Sequence, residues 1–185
     1  MEVNGPMMNR AECLIEYGSD YLIEKSIKQG LLYRVGKGVY SESSEVPYIA
    51  VLSFKYHNAV VTMHNAFYMY GLTDVIPDNY NLATDRDAAK IREKDVKQYF
   101  MPKDFFMQGI SEIDHKGFKI RIYSRERMLI ELLRYKSKLR LDYYKEILLN
   151  YRKIMPRLNL QEIQDYALES PKSGKILETL QMEVL

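Results

Sequence analysis

The chain of 185 residues contains one cysteine, Cys13, and no tryptophan. A lone cysteine excludes an internal disulfide, and its ordinary place is a small buried apolar position. Such sparing use fits a reducing cytoplasm. No apolar run approaches the length of a membrane span, and no charged-then-apolar leader opens the chain, which argues against a membrane span and against a classical signal peptide. The three histidines, His57, His64 and His115, give no metal-ligand spacing with Cys13. Phosphate-loop, dinucleotide and nucleophile-elbow patterns are all missing. No cofactor and no metal are therefore expected. Internal repeats and low-complexity tracts are absent too.

What is present suits a globular protein. The chain is 46% hydrophobic and 28% charged, and it is long enough to bury a core without staples, as one large domain or two small ones. Sixteen tyrosines suit half-buried positions and can face nucleic acid, but most should simply pack. Net charge is +2 but unevenly placed. Residues 1–45 carry five lysines and arginines against seven acids, a net −2. Residues 116–157 carry thirteen against four, a net +9. Attraction for a polyanion should be strongest in the second half.

Residues 1–8, MEVNGPMM, have no period and read as a loose lead-in. Arg10–Tyr17 predicts a short helix closed by Gly18, a residue able to take positive φ. Ser19 or Asp20 caps a second helix with Leu22, Ile23 and Ile27 on one face, and Gly30 stops it. The stretch GLLYRVGKGVY, Gly30–Tyr40, then reads as a hairpin with Leu32 and Val35 inward and Arg34 and Lys37 outward. Helix, tight turn, helix and hairpin is the order of a helix-turn-helix with a wing. The second helix would present Asp20, Tyr21, Glu24, Lys25 and Lys28. Gly36 and Gly38 would let the turn approach a phosphate. An ordinary glycine-rich hairpin has the same pattern.

Ser41–Val46 is polar and reads as a linker. Beyond it the spacing predicts a helix over 48–56, a strand over 59–61 and a helix over 63–70 with Thr62 as cap. Strands follow over 80–84, 96–101, 110–113 and 118–123. In the last, FKIRIY, Phe118, Ile120 and Ile122 point one way and Lys119, Arg121 and Tyr123 the other. Ser124 caps a helix bearing Met128, Leu129, Leu132 and Leu133. Further helices are predicted from Asp142 to Met155, from 160 to 168 behind Asn159, and from Ser173 to about Glu183. The expectation is an α+β protein: an N-terminal winged helix-turn-helix over 1–45, possessing little room for a helix ahead of Arg10, and a mixed α/β domain over 46–185 with a helical C-terminal third.

Several stretches in this order resemble AbiEi-type antitoxins of type IV, abortive-infection toxin–antitoxin systems. LIEKSIKQGLLYRVGKGVYSE resembles the winged-helix end of that family. VVTMHNAFYMYGLTD resembles its strand, Ser/Thr-capped helix and closing motif, here Thr62, His64, Ala66, Tyr68, Gly71, Leu72, Thr73 and Asp74. FKIRIYSRERMLIELLR resembles its strand into helix; Glu126 and Arg127 match, and Met128 stands where threonine is usual. The resemblance covers residues 10–160. It implies an N-terminal unit binding operator DNA, autorepression, and a second domain opposing a nucleotidyltransferase-like toxin without a stable complex.

The candidate DNA-binding residues are Tyr21, Lys25, Lys28, Arg34 and Lys37. The candidate basic face of the second domain is Lys119, Arg121, Arg125, Arg134 and Lys138, with Arg127 as a candidate for burial against an acid. The acidic N-terminal end leaves alternatives: a degenerate unit, one that works as a homodimer, or a packing module in a protein-interaction antitoxin without DNA binding. A third class is a small metal-dependent nuclease on Glu112, Asp114 and Lys116, which alternate along one strand. A solvated strand face looks the same.

Overall fold

The computed structural model describes residues 7–184. Residues 1–6 of the lead-in thus lie outside the described residues. The chain forms two compact units. The first runs to His57 and includes residues 113–120; the second holds residues 58–112 and 121 onward.

In the first unit, strand β1 (Met7–Asn9) leads directly into helix α1 (Arg10–Tyr17). The lead-in reading fails at residues 7 and 8. Asn9 starts the helix through a reciprocal pair of bonds: its Oδ1 accepts the Glu12 N–H at 3.0 Å, and its own N–H donates to Glu12 Oε2 at 2.7 Å. Gly18, at φ 85°, ends the helix. Ser19 Oγ then accepts the Leu22 N–H at 3.3 Å and opens α2 (Asp20–Lys28). Strands β2 (Tyr33–Gly36) and β3 (Val39–Ser41) form the hairpin, and α3 (Tyr48–Lys55) follows. β3 pairs antiparallel with both β2 and β1, giving the order β1-β3-β2. Met8, Cys13, Ile23, Leu32 and Tyr40 form the core. Cys13 is wholly buried, as its type suggests.

Three local expectations change. Leu22 does not share the buried face; it is 42% exposed. Ser41 closes β3 and is buried, so the irregular stretch starts after it. Gly36 is needed for packing on α3, because a Cβ there would sit 2.7 Å from Val51 Cγ1. Only Gly38, at φ +73° with open space around it, keeps the turn clear. The first unit therefore reaches past residue 45 to take in α3.

The second unit is built on a five-stranded sheet, order β6-β5-β4-β8-β7. Its strands are β4 (Val60–Val61), β5 (Tyr80–Asp85), β6 (Val96–Met101), β7 (Ile110–His115) and β8 (Phe118–Tyr123); the tip of the β7–β8 hairpin groups with the first unit. β4 pairs antiparallel with β5 and parallel with β8, whereas β5 and β6 are parallel. Helices α4 (Met63–Met69), the single turn α5 (Lys103–Phe106), α6 (Arg125–Arg134), α7 (Leu141–Ile154), α8 (Leu160–Glu169) and α9 (Ser173–Glu183) complete it. α6 is central: Arg127 through Leu133 are all buried. The architecture is α+β with a helical C-terminal region.

The parallel β5–β6 pair is joined by a connection without a helix, so something else must hold that segment to the sheet. Gln98 does it. Its Oε1 accepts the Ile91 N–H at 2.8 Å, and its Nε2 donates to Thr84 Oγ1 at 2.8 Å and to Ala89 O at 3.1 Å. Gln98→Leu should speed amide exchange of residues 88–95 by about tenfold or more while lowering stability by about 1 kcal/mol. Unchanged exchange there would show that the segment holds itself.

Three packed tyrosines place their hydroxyls on main-chain carbonyls. Tyr70 donates to Tyr123 O at 2.7 Å, Tyr123 to Phe106 O at 2.9 Å and Tyr151 to Arg125 O at 3.0 Å. Burial raises the phenol of Tyr70 to about 12 despite the Arg125 charge nearby, so these hydroxyls stay protonated donors.

Candidate nucleic-acid interface

The outer side of α2 carries the expected residues. Tyr21 is 75% exposed, and Lys25, Lys28 and Lys37 are exposed as well. None of the three lysines makes an ion pair among the described residues. Arg34 differs. It pairs with Glu24 across the gap between hairpin and α2 and lies 5.9 Å from the Tyr40 ring. Arg10 pairs with Asp20 at 2.9 Å. Two acids thus pair with two arginines, leaving three exposed lysines in a stretch, residues 1–45, whose net charge is still −2.

The proposed basic face of the second half does not hold as a set. Lys119 belongs to the hairpin tip, in the first unit, and is exposed. Arg121 is half-buried, and Arg125 lies over the Tyr70 ring at 4.6 Å. Lys138 is exposed above Tyr135 at 5.1 Å. Arg134 is turned inward, with 14% of its side chain exposed, and donates to Glu131 at 2.6 Å. It is part of a buried network and not of a surface. Nor is the outward side of FKIRIY uniformly cationic, since Tyr123 is wholly buried.

That network centres on Arg127, which is fully buried, as its pattern suggested. Its partner is Glu131 at 2.7 Å, one helical turn on, rather than the adjacent Glu126. The guanidinium lies 3.4 Å from the Phe105 ring centroid and 4.6 Å from that of Tyr123. Burial lowers the Arg127 pKa, and Glu131 opposes the shift. Glu126 instead accepts the N–H of Asn159, the cap of α8, at 3.1 Å.

The nuclease candidates gain no support from geometry. Asp114 accepts the Gly117 N–H at 3.0 Å and so shapes the hairpin turn, where Lys116 and Gly117 both have positive φ. Among the described residues no group of His, Cys, Asp or Glu is arranged to hold a metal ion. No helix among them is long and apolar enough to cross a membrane. His64 lies in α4, where its ring stacks on Tyr143 with centroids 4.8 Å apart, and burial lowers its pKa.

Sequence reasoning missed β1 and the partner of Arg34. The first left a trace, since Asn9 and Glu12 stand three apart as a capping box requires. The second left none, because Glu24 and Arg34 meet only once helix and hairpin are in place. Neither a protein-family model nor a curated protein matches this chain, so the functional reading rests on the fold and on these side chains.

Proposed function

We propose that this chain is a DNA-binding transcriptional autorepressor and antitoxin of the AbiEi-like, type IV kind, acting in the cytoplasm against a nucleotidyltransferase-like toxin encoded beside it. The observation that carries the reading is β1. By pairing with β3 it gives the order β1-β3-β2 beside a capped helix pair, and this supports reading α2 as a recognition helix and the β2–β3 hairpin as a wing. In this reading Tyr21, Lys25, Lys28 and Lys37 touch the backbone, and Arg34 joins them only when it leaves Glu24.

Three lysines are few. At about −0.9 in log–log slope per neutralised phosphate, one copy gives a slope near −2.7, or about a fortyfold loss between 50 and 200 mM salt. Tight binding then calls for two copies on paired half-sites. The test is a titration against the chain's own upstream DNA at two salt concentrations, with unrelated DNA as control. Lys25→Ala with Lys28→Ala and Lys37→Ala should abolish most salt-dependent affinity. Glu24→Gln should tighten binding and steepen the slope by about 0.9, because it frees Arg34 and removes an anion from the surface. A wild-type titration with no preference for the upstream DNA, or a Glu24→Gln variant that binds no better, would overturn the DNA assignment.

The second reading is a protein-interaction antitoxin without DNA binding. It is favoured by apolar residues left open on the same unit: Ile15 is 84% exposed and Leu31 61%. Loss of toxin neutralisation in Ile15→Ser with Leu31→Ser, with upstream-DNA affinity unmeasurable throughout, is the outcome that selects it.

A further inference from the structure

The second unit has a groove that the DNA reading does not use. We infer that it is a peptide-binding groove, in which an extended apolar segment of another protein adds as a strand to the outer edge of β6.

The main chain supplies the first argument. β6 ends the sheet. On its inner side Tyr80 N–H donates to Asp95 O and Arg86 N–H to Met101 O, and the register runs without a break between them. In a parallel ladder this directs the N–H and C=O of Lys97, Tyr99 and Met101 toward β5. Those of Val96, Gln98 and Phe100 face outward. No backbone hydrogen bond to them is made among the described residues.

The second argument is that this edge is not a bare flank. A cleft of about 840 Å³ is lined by the four consecutive residues Lys97–Phe100. Consecutive strand residues point to opposite faces, so a cleft that touches all four lies along the edge itself. The opposite wall is Leu139, Arg140 and the start of α7; the 75–78 loop and His64 complete it. A concave edge of this kind takes a single extended segment, whose main chain bonds to the strand and whose alternate side chains enter the walls.

The chemistry of the lining selects the occupant. Phe100 is 48% exposed, Val75 49% and Ile76 73%, and all three belong to the groove. The charges balance: Lys97, Lys138 and Arg140 against Asp78, Asp142 and Glu146, with Arg140 and Asp142 already paired at 2.6 Å. A polyanion finds no net attraction there. β-Branched or aromatic residues opposite Phe100 would form the cross-strand pairs that stabilise sheets. One further donor waits in the wall. Tyr143 is 8% exposed, lines the cleft, and its buried hydroxyl has no hydrogen-bond partner.

The inference is independent of DNA binding, and its test uses the full chain. Short random peptides displayed on phage are selected against it, and the selected sequence is synthesised. Three results are expected. The peptide has apolar β-branched or aromatic residues at every second position. N-methylation of its backbone weakens binding by about tenfold or more at alternate positions only. On binding, the amides of Gln98 and Phe100 gain protection from exchange, whereas those of Lys97 and Tyr99 do not change. Phe100→Asp should abolish binding; Phe100→Pro, which removes one outward N–H and leaves the β5 ladder intact, keeps the result interpretable if the aspartate variant fails to fold. Failure to select any peptide, or protection elsewhere, overturns the proposal. So does a dimer in light scattering without peptide that already protects Gln98 and Phe100, since the edge would then belong to a second copy of this chain.

Discussion

Glu131→Gln should destabilise the second unit by about 3–5 kcal/mol, which for a chain of this size is a fall in melting temperature of about 6–20 °C. Glu131 is the sole carboxylate bonded to two guanidinium groups in the network: Arg127 at 2.7 Å and Arg134 at 2.6 Å. Arg127 and Glu131 have no exposed side-chain surface. An isosteric amide keeps shape and one acceptor but removes the carboxylate charge that both arginines pair with. Arg127 cannot discharge into solvent, and the Phe105 and Tyr123 ring faces attract a cation without replacing an anion. The cost lies in the orphaned charge rather than in the strength of the pair. Replacing the whole set, Arg127→Met with Glu131→Leu and Arg134→Leu, should therefore recover much of the loss. Chemical denaturation of the three proteins checks this; a loss below about 1 kcal/mol for Glu131→Gln alone would mean that water reaches the network.

Gly109→Ala should cost about 2–5 kcal/mol, from two separable causes. Gly109 has φ +68°, where any L side chain costs about 1–2 kcal/mol. Its added Cβ would also lie 2.5 Å from Arg127 Cβ and 2.9 Å from Arg127 Cγ. Those atoms cannot swing away, because the buried guanidinium anchors the side chain. Overpacking of that kind adds about 1–3 kcal/mol. Two other glycines isolate the terms. Gly71 has φ +66° with nothing within 4 Å of a new Cβ, so Gly71→Ala carries the conformational cost alone. Gly36 has no positive φ but meets Val51 at 2.7 Å, so Gly36→Ala carries the packing cost alone. Melting curves in which Gly109→Ala is no worse than Gly71→Ala would refute the close approach to Arg127.

The sequence was most readable where the cause of structure is local. Ser124 caps α6, its Oγ accepting the Arg127 N–H at 3.2 Å, and both cap and apolar stripe stand within one stretch of chain. The same holds for Asn159 before α8 and for the Gly18-Ser19 break between α1 and α2. Charge was the poorer guide. A run of cations says nothing of which ones fold inward, and Arg134 is separated from Lys136 and Lys138 only by its place on α6 facing Glu131. Sheet order is likewise not local. That β5 and β6 lie parallel, with β6 left at the edge, follows from long-range pairing that no motif near either strand announces.

The parallel pair also limits how this chain can change length. β5 ends at Asp85 and β6 begins at Val96. To restart alongside Tyr80, the intervening segment must travel back the length of a six-residue strand, about 20 Å. About ten residues, with an extended reach of roughly 33–36 Å, cover that distance plus the two reversals with little slack. Lengthening the segment costs only loop-closure entropy, about 0.6 kcal/mol for a doubling. Removing four or five residues would pull β6 out of register or off the sheet. Relatives of this protein should therefore vary between residues 86 and 95 by insertion and hardly ever by deletion, so that this surface can grow in evolution but not shrink.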